Sequence, residues 1–151
     1  MEATEALRQQ HRELLSIFDE LEFTTDSLER TRLLGQIAER MKTHAAVEEE
    51  VFYPAVRRLG AEAEPVIDEA LAAHRAADLI LDESMGAEPT EANVKVLRDA
   101  ITRHIEDEEA RMFPLAERLG VALQVRLAAR MASTGDELDE EEEAGERTSG
   151  L

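Results

Sequence analysis

Residues 43–60 read THAAVEEEVFYPAVRRLG, and residues 103–120 read RHIEDEEARMFPLAERLG. The two stretches are one motif repeated at a spacing of 60 residues. In each copy a histidine precedes a glutamate by four residues, so on an α-helix the two side chains share one face. An imidazole and a carboxylate directed at the same point are typical of a metal site. The matched residues are His44 and His104, Glu48 and Glu108, Pro54 and Pro114, and Gly60 and Gly120.

Length and composition indicate one soluble, all-helical domain. The chain has 151 residues, enough to bury a sizeable core, and only seven glycines and four prolines. The absence of cysteine excludes disulfides, thiolate nucleophiles, iron–sulfur clusters and cysteine-type zinc sites. A formal net charge of −18 disfavours binding to nucleic acid or to anionic membranes. Because the sequence shows neither a signal-peptide pattern nor a membrane-spanning apolar run, we expect a cytoplasmic protein with no nucleic-acid or membrane partner.

Apolar residues recur every three or four positions along four segments, which is the period of amphipathic helices. This pattern predicts an all-α, up-down-up-down four-helix bundle over residues 1–134. Residues 121–131 add a short fifth helix. The acidic run that follows, residues 135–151, carries so many like charges that we expect a disordered, solvated tail. Pro54 falls inside the second helical pattern and predicts a kink in its last turn.

The four histidines of the chain each fall on the inward stripe of a different predicted helix. Buried glutamates are costly unless they are paired or ligated, so two facing each other favour cations between them. The plainer interpretation is a set of core histidines bonded to neighbours, because a lone H-x-x-x-E arises easily in so acidic a chain. The coincidence of four histidines, two matched glutamates and a repeat favours a dinuclear metal site. The six candidate ligands are His11, His44, Glu48, His74, His104 and Glu108.

The helix pairs repeat as well. His11-Arg12 of the first helix corresponds to His74-Arg75 of the third, so the first two helices resemble the last two. This internal repeat predicts two half-sites that face each other across the bundle.

Three further residues lie close to the candidate ligands. Asp78 lies on the predicted inward stripe of the third helix, where it could ligate a metal or orient a metal-bound histidine, and we favour the orienting role. Tyr53, the counterpart of Phe113, is interpreted as a core aromatic rather than as a ligand. Glu109 stands five residues after His104 and is an alternative to Glu108.

The motif resembles the haemerythrin-like, or HHE cation-binding, domains over about residues 5–120. The family pattern is a histidine on helix one, H-x-x-x-E on helix two, histidine on helix three, and a histidine with an acid on helix four. Oxygen-carrying haemerythrins have a second histidine where this chain has Asp78, and an aspartate five residues after the last histidine. The arrangement here is more similar to a subset of actinobacterial haemerythrin-like proteins associated with peroxide or nitric oxide handling.

The resemblance implies two iron ions joined by an oxo or hydroxo bridge, with manganese or zinc as alternatives. The two glutamates would bridge the irons, His11 and His44 would ligate one iron, and His74 and His104 would ligate the other. Each iron would then have fewer than six protein ligands, which favours a small-molecule ligand such as oxygen, peroxide or nitric oxide. The leading hypothesis is catalase- or peroxidase-like turnover, and the alternatives are an iron or oxygen sensor or a reversible oxygen-binding or storage protein. The sequence identifies no protein partner.

Overall fold

A computed structural model describes residues 1–86 and 90–149, with side chains described as far as residue 147. Five long helices and no strand occur in these residues, and they form the predicted four-helix bundle with a fifth helix packed on it. Helix α1 is Ala3–Glu22, α2 is Ser27–Val47, α3 is Glu64–Met85, α4 is Glu91–Asp107 and α5 is Val121–Ser149. Helices α2 and α4 continue without a break into Tyr53–Arg57 and Phe113–Glu117.

Local signals in the sequence begin and end these helices. The Asp26 side chain accepts a hydrogen bond from the Glu29 N–H at 3.0 Å, and Thr90 serves α4 in the same way. Gly60 and Gly120 follow α2 and α4 with φ of 123° and 85°, a region that favours glycine. Residues 87–89, within the connection between α3 and α4, lie outside the described residues.

Both halves of the repeat contain one π-helical turn, at Glu48–Phe52 and at Glu108–Met112. The Tyr53 N–H donates to the Glu48 carbonyl, five residues back instead of four, and the Phe113 N–H donates to the Glu108 carbonyl in the same way. A proline follows each π turn and has no N–H with which to continue the α-helical pattern. The irregularity that Pro54 predicts as a kink is therefore a π turn immediately before the proline, and π turns are frequent at functional sites.

Helix α5 differs from the short fifth helix and disordered tail that the sequence predicts. It continues from Val121 to Ser149 through most of the acidic run. Lys42 of α2 forms an ion pair with Glu142 at 3.3 Å, and Thr43 donates a hydrogen bond to Asp139 at 3.4 Å. These contacts with α2 offset part of the repulsion between like charges in this segment. The domain boundary at residue 135 stays a prediction.

The core consists of two apolar clusters with the histidines between them. One cluster lies toward the α1–α2 connection and includes Phe18, Leu34 and Ile101. The other lies toward the π turns and α5 and includes Phe52 and Met131. Each histidine stands between residues of the two clusters along its helix, so the polar layer has apolar side chains above and below it.

Candidate metal centre

The structure brings all six candidate ligands from α1–α4 into one buried layer. None of them is more than 6% exposed, and Glu48 is fully buried. Ligand atoms of His11, His44, Glu48 and Glu108 lie within 4.8 Å of one another, and those of Glu48, His74 and His104 form a second such group. Glu48 belongs to both groups, which is the placement that a bridging carboxylate needs.

The two halves of the layer are related as the repeat predicts. The His11 and His44 rings are 4.9 Å apart at 65°, and the His74 and His104 rings are 4.7 Å apart at 70°. His11 stacks on Phe113, and His74 stacks on Tyr53, the counterpart of Phe113. The structure therefore contains two facing half-sites, each with a pair of imidazoles.

The ring nitrogens of the first half-site point at the carboxylates. His44 Nε2 lies 2.7 Å from Glu48 Oε1, and His11 Nε2 lies 3.3 Å from Glu108 Oε1. In the second half-site, His74 Nε2 lies 3.2 Å from both Glu48 Oε1 and His104 Nε2. Such crowding of acceptor atoms around one small volume is chemically suited to a cation.

The two carboxyl groups have pKa values shifted in opposite directions. Burial raises the pKa of Glu48, but the charge of His44 and hydrogen bonds with Glu108, His104 and His44 together outweigh burial and hold it well below its ordinary value. Burial, and then the charge of Glu48, raise the pKa of Glu108. Without a cation between them, two adjacent buried carboxyls cannot both ionise cheaply, so one of the two keeps its proton.

Protonation of His74 compensates the negative charge that remains on the neighbouring carboxylates. Burial lowers the pKa of His74, but hydrogen bonds and charges of Glu48, Glu108 and Glu49 outweigh burial and raise it to about 9. The metal-free layer therefore retains protons that a bound metal would displace.

Several buried atoms in this layer make no well-oriented hydrogen bond, even where a carboxylate oxygen is close, as Glu48 Oε1 is to His44 Nε2 at 2.7 Å. They include both ring nitrogens of His11, His44 Nε2, Glu48 Oε2 and Glu108 Oε1. Buried polar atoms without partners are rare because each costs about 1 to 3 kcal/mol. Metal coordination would satisfy these lone pairs, and a mixture of imidazole and carboxylate suits iron, manganese or zinc. The residues present therefore fit a metal centre.

Two side chains that the sequence analysis did not assign as outer partners hold imidazoles from outside, and a third lies farther from its ring. Gln10 Oε1 lies 2.7 Å from His44 Nδ1, and Glu49 Oε2 lies 3.2 Å from His74 Nδ1. Glu109, which the sequence analysis treated as an alternative ligand, lies 3.9 Å from His11 Nδ1. Glu49 and Glu109 are matched positions of the repeat, so the spacing of 60 residues was a usable signal for both. Acceptors at Nδ1 fix ring orientation and direct Nε2 inward.

Tyr53 is a core aromatic, as predicted, but its hydroxyl also enters the site. Tyr53 is 2% exposed, and its hydroxyl donates to Glu108 Oε2 at 2.7 Å and lies 3.3 Å from His74 Nε2. Burial, and then the charges of Glu48 and Glu108, raise the pKa of Tyr53 far above its ordinary value, so the phenol keeps its proton. Phe113 offers no such donor, and the hydroxyl makes the two half-sites chemically different.

The prediction that Asp78 faces inward is wrong. Asp78 is exposed, and the buried residues of α3 next to His74 are Ala70, Ala77 and Leu81. A helix turns about 100° per residue, so positions three and four after His74 diverge, and the smaller Ala77 takes the inward direction. Asp78 therefore neither ligates nor orients a ligand in this structure.

The fold and the layer together define a helical bundle with a buried imidazole and carboxylate cluster for cations. The Hemerythrin HHE cation binding domain model matches residues 2–116. The chain therefore belongs to the hemerythrin HHE family, whose domains bind metal cations, as its sequence motif predicts. None of the described helices is both long and apolar enough to cross a bilayer.

Two known proteins illustrate this similarity. The crystal structure of a hemerythrin HHE cation binding domain-containing protein from Mycobacterium kansasii superposes with a TM-score of 0.86, covering 100% of this chain and 95% of that one. The two sequences are 21% identical, so this likeness concerns the fold. A protein of Nostoc sp. named DNA nickase is 30% identical over 115 residues, which are 75% of this chain and 33% of that protein. The chain spans about a third of that relative, and the expectation that it has no nucleic-acid partner stays a prediction.

Proposed function

We propose that this chain is a non-haem di-iron protein that binds oxygen or peroxide and converts hydrogen peroxide to oxygen and water. The observation that supports this most directly is the buried layer itself, with two imidazole pairs on either side of two carboxylates whose oxygen atoms are partly without partners. A structural polar layer would normally have its hydrogen bonds satisfied.

The grouping of the side chains supports a ligand set. His11 and His44 would hold one iron and His74 and His104 the other. Glu48, which belongs to both groups of candidate ligand atoms, and Glu108, which belongs to the first, would be the carboxylates shared between the irons. Because Asp78 is exposed, the chain offers no further ligand from that position. Iron bound here would supply one-electron redox and Lewis-acid chemistry.

The surrounding residues orient and protect this layer. Gln10 and Glu49 fix the rings of His44 and His74 through Nδ1. Phe52 and Phe113 are fully or almost fully buried and exclude water from the layer on the side of the π turns. The Tyr53 hydroxyl holds a proton beside Glu108 Oε2, where it can donate to an oxygen atom of a small ligand.

Peroxide disproportionation needs no partner protein. One peroxide loses two electrons and two protons to become oxygen, and a second peroxide takes up those electrons and protons to become two water molecules. The Tyr53 hydroxyl, which lies against the layer beside Glu108 and His74, is a group that can pass a proton in such an exchange.

The test combines metal analysis with an oxygen electrode. Full-length protein purified with iron should contain about two iron atoms per chain, show the absorption bands of an oxo-bridged pair and release oxygen from hydrogen peroxide faster than an equal amount of free iron. Replacing His44 and His104 together by Leu should abolish iron binding, whereas the matched control Asp78→Ala should keep the iron content. Bound iron without oxygen release would remove the enzymatic part of the proposal and leave a sensor or a reversible oxygen binder.

A further inference from the structure

The two halves of the bundle are closed to different degrees around the proposed centre. Residues of α1 match residues 63 positions later in α3, as His11 matches His74. Residues of α2 match residues 60 positions later in α4, as His44 matches His104. We call the line of contact between α1 and α2 beside the buried layer the α1–α2 seam, and that between α3 and α4 the α3–α4 seam. The residues of the two seams can therefore be compared position by position.

The α1–α2 seam is closed by apolar side chains and by α5. Leu7, Val47 and Val51 are buried there, in one cluster with Leu127 and Met131 of α5. The side chain of Gln10 fills the space beside His44 and contacts its Nδ1.

The α3–α4 seam lacks each of these closing side chains. Asp107 and Arg111 stand where the first half has Val47 and Val51, and both are exposed. Ala70 replaces Leu7, and Ala73 replaces Gln10. The smaller side chains leave a cavity of about 30 Å³ that reaches two candidate ligands directly, His104 and Glu108. This volume is close to that of one water molecule.

Each of two larger cavities reaches at most one candidate ligand. One of about 660 Å³ lies against α5 and is lined by His44 and by Gln10, which contacts the His44 ring at Nδ1, and seven carboxylates also line it. Another of about 400 Å³ reaches Tyr53, whose ring stands between the cavity and His74. The α3–α4 cavity touches two candidate ligands, the His104 imidazole and the Glu108 carboxylate, whereas the 660 Å³ cavity touches one and the 400 Å³ cavity touches none.

We propose that small uncharged molecules reach the metal centre through the α3–α4 seam, past Ala70 and Ala73, to the side formed by His104 and Glu108. Arg111 forms an ion pair with Glu69, and both line this cavity, so the pair narrows its entrance. The inference rests on the proposed di-iron centre and assigns the access side that the family and the ligand set leave open. In the α1–α2 seam, Leu7, Val47 and Val51 fill the matched positions and pack with Leu127 and Met131 of α5.

The experiment places the larger residues of the α1–α2 seam at the matched positions of the α3–α4 seam. The double variant Ala70→Leu/Ala73→Gln gives the second half the residues of the first half, Leu7 and Gln10. With iron-loaded, chemically reduced protein, the rate of nitric oxide binding is followed by stopped-flow absorbance after iron content has been measured. We expect binding to be about tenfold slower, a modest rise in barrier for entry. Should the double variant not fold, Ala73→Gln alone and Arg111→Ala supply the same test, since the first should slow entry and the second should accelerate it.

The matched control fills the opposite cavity. Ala132→Leu adds similar bulk to the wall beside α5, and its rate should equal that of the wild type. Equal rates for the wild type and the seam variants at equal iron content, or a slow Ala132→Leu protein, would overturn the assignment of the route. If wild-type protein contains iron but forms no nitric oxide adduct, small-ligand binding itself fails, and the proposed function fails with it.

Discussion

Tyr53→Phe removes one oxygen atom from the interior and tests whether the hydroxyl stabilises the buried layer. The Tyr53 hydroxyl donates to Glu108 Oε2 at 2.7 Å, the usual length of a good O–H···O bond. Phenylalanine keeps the ring that stacks on His74 at 5.7 Å, so packing should change little. The variant leaves a buried carboxyl oxygen without its donor, which costs about 1 to 3 kcal/mol.

The expected shift in melting temperature follows from the size of the chain. For a protein of this length, 1 kcal/mol corresponds to about 2 to 4 °C, so a central cost of about 2 kcal/mol predicts a fall of about 4 to 8 °C. The measurement is thermal unfolding of chelator-treated protein followed by circular dichroism, with urea unfolding as a second estimate of the free energy.

Ser84→Ala is the matched control. Its hydroxyl donates to the Ile80 carbonyl at 2.7 Å within α3 and is also buried. That carbonyl has an α-helical partner as well, so the loss should stay below about 1 kcal/mol. A Tyr53→Phe protein that melts within about 1 °C of the wild type, or no lower than Ser84→Ala, would refute the reasoning.

Three further predictions concern pH and backbone conformation. The pKa of His74 is raised to about 9, so its contribution to the stability of the metal-free fold is complete below about pH 6.5 and is lost as pH rises through about 9. Urea unfolding between pH 6.5 and 9.5 should show a loss of at most about 3 kcal/mol from this group, and a smaller loss in His74→Gln. Burial, and then the charges of Glu142, Glu146 and Asp139, raise the pKa of Glu39, so its contribution is complete below about pH 4.5 and declines as pH rises above it. Amide protection factors in the last turns of α5, corrected for the intrinsic pH dependence of exchange, should therefore be higher at pH 4.5 than at pH 7, and Glu39→Gln should reduce that difference. Gly60→Ala should cost about 1 to 3 kcal/mol because φ is 123° and ψ is −169°, whereas Gly35→Ala, in α2 with open space around it, should stabilise the protein by about 0.5 to 1 kcal/mol; urea midpoints of opposite sign are the check.

The spacing of apolar residues and the internal repeat were enough to predict the four bundle helices and the six candidate ligands of the buried layer. The spacing of apolar residues identifies the four helices, and the matched positions His44 with Glu48 and His104 with Glu108 identify the helix faces that meet. Their convergence in the structure follows because side chains four residues apart share a face and apolar stripes must face one another. The repeat also contained the signal for Glu49, the partner of His74, since Glu109 occupies the matched position.

Other features depended on contacts between segments distant in sequence. Position three or position four after His74 could have faced inward, and in the structure Ala77 at position three joins the apolar cluster while Asp78 at position four is exposed. Residues 135–149 are helical and contact Lys42 and Thr43, about a hundred residues earlier in the chain. The local sequence pattern predicted neither the exposure of Asp78 nor the helix over residues 135–149. For the second, a run of acidic residues by itself predicts a solvated chain.

The sequence by itself determined the bundle, the repeat and the chemical identity of the six candidate ligands, because helical period and residue type are local properties. Only the tertiary structure decided that the two half-sites differ. The Tyr53 hydroxyl reaches across to Glu108, α5 covers the α1–α2 seam, and Ala70 and Ala73 leave the α3–α4 seam open beside His104. These differences arise from contacts between side chains that are distant in sequence. The repeat aligns Tyr53 with Phe113, but that alignment does not show which residue the Tyr53 hydroxyl contacts.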